Sequence, residues 1–110
     1  MAYDEALADR ARSVLGRRKG ITERKMFGGL AFLLHGNMCC GVTKDRLMLR
    51  LGEDGAAEAL AEPHTQPMDF TGKPLKSMVY VTPEGTRADK DLQGWVQRAV
   101  AYAASLPPKG

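Results

Sequence analysis

Gly29-Leu30-Ala31-Phe32-Leu33-Leu34-His35-Gly36-Asn37-Met38-Cys39-Cys40-Gly41-Val42-Thr43-Lys44-Asp45-Arg46-Leu47-Met48-Leu49-Arg50-Leu51 is the stretch on which the fold turns. Its pattern predicts three strands joined by two tight turns. Leu30 to Leu34 is a continuous apolar run, and Gly36-Asn37 has the glycine-first signature of a two-residue type II′ hairpin. With that turn Leu34 faces Cys39 and Phe32 faces Gly41, while Ala31, Leu33, Cys40 and Val42 share the other side. Both sides are then apolar, and such strands are covered twice, by helices or by another subunit. After the polar turn Thr43-Lys44-Asp45-Arg46, Leu47, Leu49 and Leu51 alternate with Arg46, Met48 and Arg50, the period of a half-buried strand.

Working outward, residues 21 to 27 read as a short strand or extended lead-in, and Gly28-Gly29 after it permits a sharp bend or bulge. A phosphate-cradling loop would need a longer glycine pattern opening a helix, whereas here a strand follows. Tyr3, Leu7, Ala11, Val14 and Leu15 form one stripe of an N-terminal helix, with Asp4 and Glu5 at its start and Gly16 or Gly20 at its end. Residues 52 to 62 are alanine-rich and stop at Pro63, which fits a short helix. Residues 63 to 74 hold three prolines and read as a loop, with room for a short edge strand at 68 to 70. Lys76 to Thr82 reads as one more strand, closed by Pro83-Glu84-Gly85. Leu92, Trp95, Val96, Ala99, Val100, Ala103 and Leu106 repeat over four turns of a C-terminal helix whose stripe makes Trp95 a core anchor.

The expected architecture is therefore α+β: an antiparallel sheet of about four to six strands with N- and C-terminal helices packed on it, in the order α-β-β-β-β-α-β-α. A chain of 110 residues is the size of one domain, taken as residues 1 to 110. An apolar fraction of 44% and a charged fraction of 26% exclude a disordered or fibrous class. No run reaches the roughly 20 apolar residues that span a bilayer, and the acidic Met1-Ala2-Tyr3-Asp4-Glu5 start is unlike a secretory leader, so no membrane partner and a cytoplasmic location are expected. The two cysteines are expected as reduced thiols.

Net charge is +3, and residues 1 to 50 carry ten basic against five acidic side chains. That imbalance makes Arg17, Arg18, Lys19, Arg24 and Lys25 the candidate interaction surface, for an acidic partner or nucleic acid. No helix-turn-helix, zinc-finger or aromatic–basic strand pattern supports base readout, and direct DNA contact is left open. Cys39 and Cys40 are adjacent on a strand, so alternation points their sulfurs to opposite faces, as two inert buried thiols. With His35 and His64 they lack the spacing of a zinc site. No catalytic residue, metal or cofactor is assigned, and no serine sits in a nucleophile motif. A pocket near Cys39, Cys40 and Arg50, for a small molecule or for thiol-based redox sensing, is the alternative reading.

Met26-Phe27-Gly28-Gly29, followed by Phe32, Gly36, Met38, Gly41-Val42, Asp45-Arg46-Leu47 and Leu49-Arg50, resembles the N-terminal domain of the TfoX/Sxy family, regulators of bacterial natural competence. Pro67-Met68-Asp69-Phe70 with Gly72-Lys73 and the Trp95 helix extend the similarity from about Asp4 to Leu106. The resemblance implies an α+β domain without enzymatic activity, a protein-interaction module whose partner belongs to the transcription machinery, as monomer or homodimer. Full-length members join this domain to a C-terminal helical domain and co-activate competence genes alongside the cyclic-AMP receptor protein. A stand-alone domain is expected here, since the chain ends after Pro107-Pro108. Within the motif, Met26, Phe27, Gly28 and Gly29 are read as structural, a bend that packs the sheet edge.

Overall fold

Asp4 accepts a hydrogen bond from the Leu7 backbone N–H and so caps the first helix, α1 (Glu5–Leu15), in a computed structural model that describes residues 3–16, 19–26, 28–70 and 73–107, with backbone alone at 70, 73 and 74. Of the stripe read from the sequence, Leu7, Ala11 and Leu15 are buried and Tyr3 and Val14 partly so, and Ala8 joins them in the core. Gly16, at φ +62°, ends the helix, a left-handed position that suits glycine. Then follow β1 (Ile21–Met26), β2 (Gly29–Leu34), β3 (Asn37–Thr43), β4 (Arg46–Arg50), α2 (Gly52–Leu60), β5 (Thr65–Phe70), β6 (Lys73–Val81), α3 (Pro83–Thr86) and α4 (Asp89–Ala104). The strands form one sheet in the order β1-β2-β3-β4-β6-β5, with every neighbouring pair antiparallel.

The α+β class and the packing of the terminal helices on the sheet are as expected; the element order gains a strand and a helix. β5 occupies the stretch read mainly as loop, beginning at Thr65. It is a sheet edge, where Pro67 withholds no ladder donor that a second neighbour would need. α3 occupies Pro83-Glu84-Gly85, read as a turn, with proline at the helix start where a missing N–H costs nothing.

The β2–β3 hairpin differs from its expected register. The loop residues are His35 and Gly36, both at positive φ (51° and 83°), so the turn is of the I′ kind, which matches the strand twist. Leu34 pairs with Asn37 and Leu33 with Met38, then the register slips and Phe32 pairs with Cys40 and Ala31 with Gly41. Cys39 is the extra residue of a β-bulge.

That bulge sorts the two faces. Leu30, Phe32, Leu34, Cys39, Cys40, Val42, Leu47, Leu49, Val79 and Val81 join one cluster with the buried stripes of α1, α2 and α4. Ala31, Leu33, Met38, Met48, Met78 and Tyr80 turn to the other side, where Met68 of β5 completes the cluster and Met26 and Leu75 pack against it. All residues of β2 and β3 are buried, as a two-sided apolar strand requires. The second face is thus covered from within the chain, in part by the β5–β6 hairpin.

Two polar ties close the structure. Arg10 donates to the carbonyls of Thr86 (2.6 Å) and Arg87 (3.2 Å) and to the Asp89 carboxylate (3.0 Å), joining α1 to the end of α3 and the start of α4. Asn37, buried at 3% exposure, donates through Nδ2 to the Pro107 carbonyl at 2.9 Å and holds the end of the C-terminal helix against the hairpin.

Gly41 gives the register a direct test. A Cβ there would lie 2.5 Å from the Leu30 carbonyl oxygen and 2.8 Å from Met48 Cε. The carbonyl belongs to the ladder and cannot withdraw, so Gly41→Ala is expected to cost about 3 kcal/mol, the scale of overpacking. An unchanged denaturant midpoint would contradict that close approach.

Candidate functional site

Among the described residues, the adjoining Arg24 and Lys25 do not share one face. Lys19, Arg24 and Lys25 are exposed, whereas Arg17 and Arg18 lie outside the described residues. Arg24 is in register with Ala31, of the second cluster, and Lys25 with Leu30, of the first, so strand alternation sends them to opposite sides of the sheet. Beside Lys25, Glu23 accepts two hydrogen bonds from Arg12 of α1, at 2.7 and 2.9 Å, and Arg12 also pairs with Asp9. The Arg12 guanidinium holds the Glu23 carboxyl below its usual range, and Glu23 raises Arg12 in turn.

In the Met26-Phe27-Gly28-Gly29 motif, Phe27 lies outside the described residues. Met26 ends β1 half-buried against the second cluster. Gly28 takes φ +73°, and a Cβ on Gly29 would strike the Val42 carbonyl oxygen. Each glycine is demanded by backbone geometry, one by the turn and the other by the close approach of β3.

The cysteine expectation needs correction. Alternation would splay the sulfurs, but the bulge places Cys39 and Cys40 in the same cluster, both at 0% exposure. A hydrogen bond with the Cys39 thiol, together with burial, pushes the Cys40 thiol well above the ordinary thiol range. The Cys40 thiol stays protonated at neutral pH, and both thiols, fully buried, are out of reach of solvent reagents. Arg50 sits in register with Met78 of the other cluster, and its guanidinium turns to the Tyr102 ring at 5.7 Å. Of the residues in the alternative reading, Cys39 and Cys40 are thus enclosed in the core while the Arg50 guanidinium turns to α4. Among the described residues no three of His, Cys, Asp and Glu are placed to hold a metal ion, and no helix is long and apolar enough to cross a membrane.

Two surface features escaped the sequence reading. An apolar groove of about 320 Å³ runs between α2 and the β5–β6 hairpin, lined by Leu60, Met68, Leu75 and Met78. Leu60, 41% exposed, is the large apolar side chain left in solvent among the described residues. A second hollow, of about 480 Å³, lies between the 62–64 loop and α4. Lys90, Asp91, Gly94, Trp95 and Arg98 recur along one flank of α4 to line it, facing Glu62, Pro63 and His64. The Arg98 guanidinium stands 4.6 Å from the Trp95 ring centroid and donates to Glu62 at 2.7 Å. The helical stripe correctly made Trp95 a core residue, at 8% exposure, yet its edge also belongs to this hollow. The one local signal for the site was Gly94, an isolated glycine inside a helical pattern.

A family model described as TfoX N-terminal domain matches residues 13–103. No curated protein and no solved structure matches the chain.

The buried thiols predict that a disulfide reagent titrates neither cysteine rapidly in the native protein and both after denaturation; a fast native thiol would contradict the bulge. The Arg12–Glu23 pair predicts a small acid dependence. Because the folded Glu23 carboxyl titrates below its unfolded value, its contribution is present above the unfolded range and disappears as pH falls through the folded value. Side-chain exposures of 44% and 38% keep the pair under about 1 kcal/mol. A double-mutant cycle with Arg12→Gln and Glu23→Gln, followed by denaturation at neutral and acid pH, should show a coupling that vanishes in acid.

Proposed function

We propose that this chain, which belongs to the TfoX N-terminal domain family, acts as a protein-interaction module of transcription regulation, without chemistry of its own. The observation that carries the reading is the family match, which runs from the last turn of α1 through the whole sheet and nearly all of α4. Its partner is a protein of the transcription machinery, its compartment the bacterial cytoplasm, and its target genes those of competence, the role tied to full-length members. Exposed Arg24 and Lys25 flank the β1 edge of the sheet from its two sides, with Lys19 exposed just before the strand, and these cations support contact between that edge and acidic groups of a partner. Complete burial of Cys39 and Cys40 speaks against thiol-based sensing.

Affinity capture with the tagged full chain tests this. RNA polymerase subunits or a DNA-bound transcription factor should be enriched, should persist after nuclease treatment, and should be lost with the combined Lys19→Glu, Arg24→Glu and Lys25→Glu variant at unchanged melting temperature. Loss on nuclease treatment would mean bridging by DNA, and absence of any transcription protein would refute the partner class.

A further inference from the structure

The hollow beside α4 contains features that packing alone does not call for. Gly94 lies inside α4, and a Cβ built there meets nothing within 4 Å. Neither a turn nor a close approach requires glycine, and alanine would make the better helix. What glycine does there is keep the wall of the hollow free of a side chain. Across from it, His64 is a non-glycine residue at φ +68°. Its carbonyl accepts from the Thr82 N–H at 2.9 Å and the Thr82 hydroxyl at 3.3 Å, which fixes the strained residue on the rim. Gly85 of α3 supports it from below, since a Cβ there would lie 2.9 Å from His64 Cβ.

We propose that this hollow binds a planar, uncharged heteroaromatic molecule with both donors and acceptors on its edge, the chemistry of a free nucleoside. The volume of about 480 Å³ falls in the range of small-molecule sites, roughly 300–1,000 Å³. From Lys90 to Arg98 the wall of α4 runs about 12 Å, enough for a ring system with a sugar. Pro63 and the Trp95 edge supply apolar contact, and Gly94 leaves the space between them free of a side chain. The rim is mixed: Lys90, His64 and Arg98 donate, and Asp91 and Glu62 accept. The side chains of Lys90 and Asp91 have no hydrogen-bond or ion-pair partner among the described residues, and His64 stands near the Glu84 carboxylate. With Lys90 and Arg98 balanced by Asp91 and Glu62, the site has no cationic excess for a polyphosphate or a nucleic-acid backbone, which selects the nucleoside over the nucleotide.

Trp95 is the only tryptophan, so its indole N–H gives a single reporter in the NMR spectrum of the full chain. Titration with guanosine or adenosine should shift that resonance saturably by millimolar concentration, and ribose should not. Gly94→Leu, which fills the hollow from an open helical position, should abolish the shift. Gly94→Ala should raise the melting midpoint by about 4 °C, confirming that glycine is not there for stability. The proposal is overturned if neither nucleoside shifts the resonance, if Gly94→Leu leaves the shift intact, if benzoate shifts it equally, or if only an oligonucleotide binds. Partner capture by the interaction module does not depend on any of these results.

Discussion

A strand that is apolar on both sides cannot be left with either side in water, and that constraint organises the whole molecule. β2 and β3 bury every residue, so the chain must supply two separate covers for one sheet. It does so in two chemically different ways. Against one face stand α1, α2 and α4, whose Leu, Val, Ala and Trp side chains interlock with branched aliphatic strand residues. Against the other, no comparable helical stripe stands among the described residues; five of the six methionines, together with Leu33, Leu75 and Tyr80, fill the space. Unbranched thioether chains suit an irregular surface closed partly by a bent hairpin, because they adapt where rigid branched residues would leave gaps. Arg46 completes that cover, its guanidinium 3.8 Å from the Tyr80 ring centroid.

How far the sequence discloses this arrangement depends on the range of each interaction. Periodicity is local, so the stripes of α1 and α4 and the alternation of β4 could be read directly, as could the acidic start of α1, whose cap the structure assigns to Asp4. The bulge at Cys39 could not, because an extra residue is defined only against the partner strand, and nothing in Met38-Cys39-Cys40 marks it. One unpaired residue then reassigns faces: Cys40 and Val42, expected beside Ala31 and Leu33, go to the helix-covered side. The turn was displaced for a related reason. Histidine tolerates positive φ well enough to precede Gly36 in a I′ turn, although glycine-first chemistry pointed one residue further on. β5 was obscured by its own protection, since proline marks both loops and sheet edges.

Neighbours in sequence are poor guides to surfaces on a strand. Arg24 and Lys25 adjoin in the chain and are separated by the sheet, so charge counted along the sequence overstates any one patch. Clefts show the reverse: the 62–64 loop and residues 85–98 share no motif, yet α2 delivers the loop to the flank of α4, where Glu62 meets Arg98. Such a site is visible only after the layers are assembled.

Gly94 connects the fold to its use. A domain stable by about 5–15 kcal/mol gives up roughly 1 kcal/mol by holding glycine in a helix interior. The other buried or cramped glycines are explained by the fold: Gly29 and Gly41 by approaching backbones, Gly52 by the Tyr102 ring, Gly85 by His64. At Gly94 that explanation ends, because open space lies where a side chain would stand. The sacrifice lies opposite His64, whose left-handed turn forms the other wall of the same cleft, and it follows from one requirement, that the space between the walls be kept for something other than this chain.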